Sequence, residues 1–156
     1  MIIDERFLVG IRNVCNKMAW LNEGDMRNQF GDYTSAEVHC IEYIGKNEDS
    51  NVTRLAEAFL MTRGAISKMS KKLIKKGAIE CYQKPDNKKE VYFRLSPKGN
   101  AVFELHENLH SQFLERDQEV YESITEEQYS AMIHFISEYE KHLDAEIKKK
   151  GLEIKS

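Results

Sequence analysis

The pentad His106-Glu107-Asn108-Leu109-His110 sets two imidazoles one helical turn apart with a carboxylate beside the first. At i and i+4 both rings face the same way, so they can share one divalent ion. In a peptidase Glu107 would act as general base toward a metal-bound water. That chemistry also needs a third ligand with its own motif and a substrate-binding lobe. Neither is visible in 156 residues, so a metallopeptidase is the remote reading and the chain is not expected to be an enzyme. A metal site without catalysis asks for less. His39 offers a third nitrogen, and imidazole suits Zn2+. The bland alternative is that these histidines are partly exposed helix residues in a polar seam. Cys15, Cys40 and Cys81 are odd in number, widely spaced and without a CxxC pair, which fits a reduced, cytoplasmic protein better than a disulfide framework.

A second group acts through charge. Thr62 to Lys98 carries eleven Lys or Arg against three Asp or Glu, a net of +8, while the other residues carry twelve against twenty-three, a net of −11. A basic block in an acidic chain is the footprint of a surface that meets a polyanion. Arg63 has the forked guanidinium suited to a guanine edge, whereas Lys68, Lys71 and Lys72 suit phosphate as point charges. Thr62 and Ser67 add hydroxyls, and Lys88 and Lys89 add charge further on. No acidic residue falls between Arg63 and Lys76, although ordinary exposed helices mix signs.

These residues need elements to position them, and the patterning predicts a mainly α chain. Phe7, Leu8, Ile11, Val14, Cys15, Met18 and Leu21 give a helix over about 4–22 by their 3-4 spacing. Asn22 to Tyr33, with two glycines, reads as a loop. Thr34-Ser35-Ala36-Glu37 is a capping box for a helix with Val38, Ile41 and Ile44 inward. Thr53 can cap a short helix. Thr62 caps the next, whose core face is Ile66, Met69, Leu73 and Ile74 and whose end is marked by Gly77. The period then changes to two, with Ile79 and Cys81, then Val91, Phe93 and Leu95, alternating with polar or aromatic residues around Lys84-Pro85-Asp86-Asn87-Lys88-Lys89. That is a two-stranded hairpin with a basic tip. Ser96-Pro97 opens a long helix, and Thr125-Glu126-Glu127-Gln128 caps a last one with Tyr129, Met132, Ile133, Ile136, Leu143 and Ile147 on one stripe.

A short helix, a tight turn, a helix bare of acids and a basic hairpin make a winged helix-turn-helix. The major groove, about 12 Å wide, admits one such helix. The run from Ser35 to Gly99 resembles the multiple-antibiotic-resistance regulator (MarR) family of bacterial transcription factors. The residues that carry the resemblance are Leu55-Ala56, Met61-Thr62-Arg63-Gly64-Ala65-Ile66-Ser67-Lys68, Leu73 with Gly77, the Asp86 hairpin and Leu95-Ser96-Pro97-Lys98-Gly99. The resemblance implies a single unit over 1–156, with a DNA-binding lobe at about 34–96 and dimerisation helices at about 4–22 and 97–150. It implies a homodimer on a pseudo-palindromic double-stranded operator, typically a repressor relieved by a small-molecule or metal effector. Family wings commonly carry arginine after the aspartate. Lys88 and Lys89 stand there, which favours phosphate contact.

Zinc-sensing members of that family place histidines like His39, His106 and His110 together with a carboxylate from the first loop, where Glu23 falls. The resemblance therefore implies a zinc-responsive alternative, with zinc as effector and no cofactor otherwise required. Val38 stands where those regulators have an acid, so a second metal site is not expected. The peroxide-sensing branch uses a cysteine in the first helix, but Cys15 lies on the apolar stripe and reads as a small buried hydrophobe. Trp20, Phe30, Tyr33 and Tyr43 either line an effector pocket or join the core. No apolar run approaches the roughly 18 residues of a membrane span, and Met1 to Arg6 has no export-signal pattern.

Overall fold

The computed structural model of the chain describes residues 5–150. Helices α1 (Glu5–Gln29), α2 (Ser35–Lys46), α3 (Val52–Phe59) and α4 (Arg63–Lys75) precede an antiparallel hairpin of β1 (Ile79–Lys84) and β2 (Asn87–Leu95). Helices α5 (Pro97–Arg116), α6 (Gln118–Glu122) and α7 (Glu126–Lys149) follow. The arrangement is a winged helix flanked by long helices.

Most helix starts sit where their caps predict. The Thr34 hydroxyl accepts from the Glu37 N–H while the Glu37 carboxylate accepts from the Thr34 N–H, closing the capping box. Thr125 and Gln128 close a second, and Ser96 caps α5 with Pro97 in its first turn. Gly77 follows α4 at φ 76°, a left-handed turn that a side chain would strain.

Two expectations are corrected. Helix α1 does not end near residue 22 but runs through the expected loop to Gln29. Gly24 costs the helix about 1 kcal/mol relative to alanine. The Glu23–Arg27 pair at i,i+4 and the packing of Met26 against buried Phe30, Val38 and Leu109 outweigh it. Helix α3 is capped by Asn51, whose side chain accepts from the Arg54 N–H at 2.9 Å, not by Thr53.

The main core lies inside the lobe. Ile41, Leu55, Ile66, Leu73 and Ile79 are essentially inaccessible and join α2, α3, α4 and the root of the hairpin. Ile74, assigned to the core face, is 40% exposed, and Ser70 takes an inward place with its hydroxyl bonded back to the Ile66 carbonyl. Lobe and scaffold meet where Gly99 of α5 approaches the Ala78 carbonyl. A Cβ there would stand 1.9 Å from that oxygen, so only glycine fits.

Candidate nucleic-acid interface and the adjoining histidine cavity

Helix α4 is presented by local chemistry at both ends. Leu60 ends α3 in a left-handed conformation at φ 51°, and the Met61 N–H donates back to the Ala56 carbonyl, closing a tight turn. Thr62 then caps α4 by accepting from the Ala65 N–H. With Ile66 and Leu73 buried on the inner side, Arg63, Lys68, Lys71, Lys72 and Lys75 stand exposed, and Ser67 is half-buried. None of these five cations forms an ion pair with a described residue.

Other cations of the basic block are engaged within the protein. The Lys76 ammonium lies 2.6 Å from the Glu37 carboxylate, donates to the Asp32 carbonyl and sits over the Tyr33 ring. Lys84 pairs with Asp49 and Arg94 with Glu80, while Lys98 donates to the Lys76 carbonyl. The net charge of the block thus overstates what it offers a polyanion.

The wing also departs from expectation. Its turn is only Pro85-Asp86, so Lys88 and Lys89 open strand β2 rather than crowning a six-residue tip, and both are exposed there. Alternation is imperfect: Val91 and Cys81 are exposed, while Tyr92 and Phe93 are both buried. A register shift between Tyr82 and Lys84 disturbs the ladder toward the turn. Asp49 explains the burial of the outer face. The Tyr82 hydroxyl donates to one Asp49 oxygen at 2.8 Å and the Lys84 ammonium to the other, with Lys84 over the Tyr92 ring. The Lys84 hydrogen bond is the main reason that the Asp49 carboxyl is held below its ordinary pKa. Phe93 donates its N–H to the Ser50 carbonyl, so the α2–α3 loop is tied to the edge of β2 as well as to the face that carries Tyr82 and Lys84. Sequence reasoning missed Asp49, for no motif marks a loop aspartate that closes on a strand more than thirty residues later.

Behind the lobe, α1, α2 and α5 enclose a cavity of about 500 Å3. Glu23, His39, His106 and His110 all line it, as do Phe30 and Tyr33. The four candidate metal ligands therefore share one space. Trp20 and Tyr43 do not join them: Trp20 is 77% exposed, and Tyr43 packs edge-on against Phe59 in the core. His106 Nε2 lies 3.1 Å from His110 Nε2, and the His39 ring lies 5.7 Å from that of His106. Glu23 is exposed and pairs with Arg27.

The carboxylate drawn closest to the histidine pair is Glu42 of α2, which sequence reasoning missed. Ligand atoms of Glu42, His106 and His110 lie within 4.8 Å of one another. The available signal was its place three residues after His39, on the same helix. His106 is buried, and its Nδ1 has no hydrogen-bond partner among the described residues. Burial, with the neighbouring His110, pushes the His106 pKa down, so the ring is neutral near pH 7. Burial alone would raise the Glu42 pKa, but the Lys46 hydrogen bond and nearby positive charge carry it below the ordinary value. A buried neutral imidazole facing a second one is a donor set suited to a divalent transition metal. Cys40, by contrast, is an inert core thiol, pushed up to about 12 by burial.

The long helices show the opposite pattern to the lobe. Neither α1 nor α7 contains a buried residue. Phe7, Ile11, Val14 and Met18 on α1, and Tyr129, Ile133 and Ile136 on α7, are all at least 40% exposed. Cys15 is exposed with them, which corrects its reading as a buried hydrophobe within this chain. Phe7 meets Phe135 edge to face at 5.5 Å, so the two apolar stripes adjoin.

Comparisons with known proteins agree with this architecture. The family profile described as MarR family matches residues 33–91. The chain is 37% identical over 109 residues to the HTH-type transcriptional regulator PchR of Bacillus subtilis (strain 168), an alignment spanning 70% of this chain and 64% of PchR. It is 39% identical over 95 residues to the HTH-type transcriptional regulator YhjH of the same strain, spanning 61% of this chain and 54% of YhjH. The matched region is thus less than two thirds of either relative. The crystal structure of Streptococcus pneumoniae FabT in complex with DNA superposes with a TM-score of 0.77 at 22% identity, covering 90% of this chain and 97% of FabT. Residues 33–91 of this chain thus match the MarR family, and the winged helix with its flanking helices shares the fold of the FabT structure.

Proposed function

We propose that this chain is a cytoplasmic, homodimeric transcription regulator that reads a pseudo-palindromic duplex operator. The observation that carries the reading is the outer face of α4: five exposed cations without an ion-pair partner among the described residues, on a helix fixed by its cap and its core face. A row of unpaired charge on an ordered rod fits the major groove, where Arg63 near the N-terminus reaches a base edge. Thr62, Ser67, Lys68, Lys71 and Lys72 contact phosphate and position the helix. Lys88 and Lys89, on the exposed start of β2, follow the backbone beside it. The apolar stripes of α1 and α7 meet their counterparts in a second copy, which fixes the spacing of the two reading helices. An effector in the cavity between scaffold and lobe changes that spacing and releases the operator. The relatives named as HTH-type transcriptional regulators support this role, and no described helix is long and apolar enough to cross a membrane. Selection of bound duplexes from a random pool, followed by salt titration, tests it. Recovery of a two-fold symmetric site with steeply salt-dependent affinity is the expected result. Binding that shows neither symmetry nor salt dependence overturns it.

A second reading has its own observation. Glu23, His39, His106 and His110 line one cavity, with two imidazole nitrogens 3.1 Å apart. In this reading zinc is the effector: His106 and His110 hold the ion, His39 closes on it, and Glu23 leaves Arg27 to complete the set. Zinc would supply a fixed centre of charge that draws α1, α2 and α5 together. Operator binding titrated with zinc and then with a chelator tests the idea, and an affinity unchanged throughout removes it.

A further inference from the structure

We propose that Glu42 is the positioning residue that holds His106 in the tautomer needed to share a metal ion with His110. The inference rests on the zinc reading above and adds a residue outside its ligand set. His106 has two nitrogens in different situations. Nε2 faces His110 Nε2 at 3.1 Å. Two tetrahedral ligands, each about 2.05 Å from a zinc ion, stand about 3.3 Å apart, so this pair already has the spacing of one edge of such a site. Nδ1, at the other side of the ring, is buried and unpartnered, and Glu42 Oε2 stands 3.8 Å from it.

That gap is longer than a hydrogen bond, and a small turn of either side chain closes it. The remaining groups on Glu42 keep it aimed. Its other oxygen takes a 2.7 Å bond from the Lys46 ammonium, and Lys46 in turn lies 2.8 Å from Glu107, the residue next to His106. Lys46 thereby ties α2 to α5 and holds Glu42 against the back of the imidazole. Binding through Nε2 requires a lone pair there and the proton on Nδ1. A carboxylate accepting from Nδ1–H sets that tautomer and raises the basicity of Nε2. With no carboxylate at Nδ1, this buried ring has no acceptor to select the binding form. His110 is exposed, so water can bond its other ring nitrogen and it needs no such partner.

The test is zinc affinity, measured by competition with a chromophoric chelator, for wild type, Glu42→Ala and Glu42→Gln. Removal of an outer carboxylate lowers metal affinity about 10–100-fold. Glu42→Ala is expected in that range. Glu42→Gln, which keeps an acceptor oxygen, should fall between it and wild type, and it serves alone if the alanine variant does not fold. Long-range proton–nitrogen correlation spectra of the zinc-free protein, where no bound ion fixes the tautomer, give a second readout: His106 should be Nδ1-protonated in wild type and of mixed form in Glu42→Ala. Wild type that fails to compete for zinc overturns the zinc reading itself. Wild type that binds zinc, with variants binding equally tightly and His106 unchanged in its spectrum, overturns the role of Glu42 alone.

Discussion

The lobe over 34–96 and the paired helices α1 and α7 use the same apolar periodicity to different ends. In the lobe the stripes of α2, α3 and α4 converge, and Ile41, Leu55, Ile66 and Leu73 disappear from solvent. On α1 and α7 the stripes are as regular, yet no residue of either helix is buried within the chain. Full burial of one such side chain contributes roughly 1.5–3 kcal/mol. The lobe realises that gain by itself, and the long helices leave it unrealised within the chain. Charge divides along the same border, with the basic block in the lobe and the acidic excess outside it. One region holds its shape while presenting charge, and the other leaves its apolar stripes uncovered within the chain.

The comparison breaks most visibly at the paired stripes. In the proposed dimer, Ile133→Glu with Ile136→Glu should separate the two copies and abolish specific operator binding, because each charge would be buried without a partner. Sedimentation velocity measures the first effect and gel shift the second. A variant that stays dimeric and binds its operator would show that α7 is not the interface, and the exposed stripe would need another occupant.

How much of this was legible in the sequence follows the same division. Elements announced by local chemistry were readable: the Thr34 and Thr125 capping boxes, Thr62, Gly77 and Ser96-Pro97 all sit where structure follows from a few neighbouring residues. Helix α1 beyond residue 22 was not, because Gly24 reads as a breaker unless the packing of Met26 on Phe30 is known. Lys88 and Lys89 were found but placed on a tip, since composition does not show that two residues suffice for the turn. At the cavity, His106 and His110 are marked by their i,i+4 spacing, and His39 by its place near the start of α2. Glu42 and Asp49 are not, because each gains its meaning from a partner on a distant element. Glu23 as a candidate ligand and the expectation of a dimer come from the family resemblance, and residue spacing contains neither.

The next largest effect lies at the joint between the regions. Gly99→Ala would place a methyl 1.9 Å from the Ala78 carbonyl oxygen, and backbone cannot yield as a side chain tip can. Overpacking of this kind costs about 1–3 kcal/mol, readable as a lower urea midpoint. Gly64, on α4, has nothing within 4 Å of where a Cβ would lie, so Gly64→Ala should raise the midpoint instead. Equal shifts for both would mean that the joint is looser than its geometry.

Within the lobe, the free cations can be separated by role. Arg63→Ala should weaken specific binding by ~1–3 kcal/mol and relax preference at one base position. Lys88→Ala should lower affinity on every duplex alike and reduce the salt slope by about 1. Equal losses on specific and random duplexes for Arg63→Ala would reassign it to phosphate.

The smallest expected effect concerns the cation that the lobe keeps for itself. Lys76, at the end of α4, is held by Glu37, the Asp32 carbonyl and the Tyr33 ring, so the reading helix is fastened to the rim of the histidine cavity. Burial alone would raise the Glu37 pKa, but the Lys76 hydrogen bond, the Thr34 N–H and the charges of Lys76 and Lys72 together lower it below 4.5. A depressed carboxyl stabilises the fold above its unfolded pKa and loses that contribution as pH falls through the folded value. Wild type should therefore exceed Glu37→Gln in stability at pH 7, by on the order of 1 kcal/mol, since glutamine keeps the Thr34 bond but not the charge. The gap should narrow as pH drops below about 4.5. Urea unfolding of both proteins between pH 7 and pH 3 reads it directly. A gap that stays constant across that range would mean that charge contributes nothing to this fastening, and the border between lobe and cavity would then rest on packing alone.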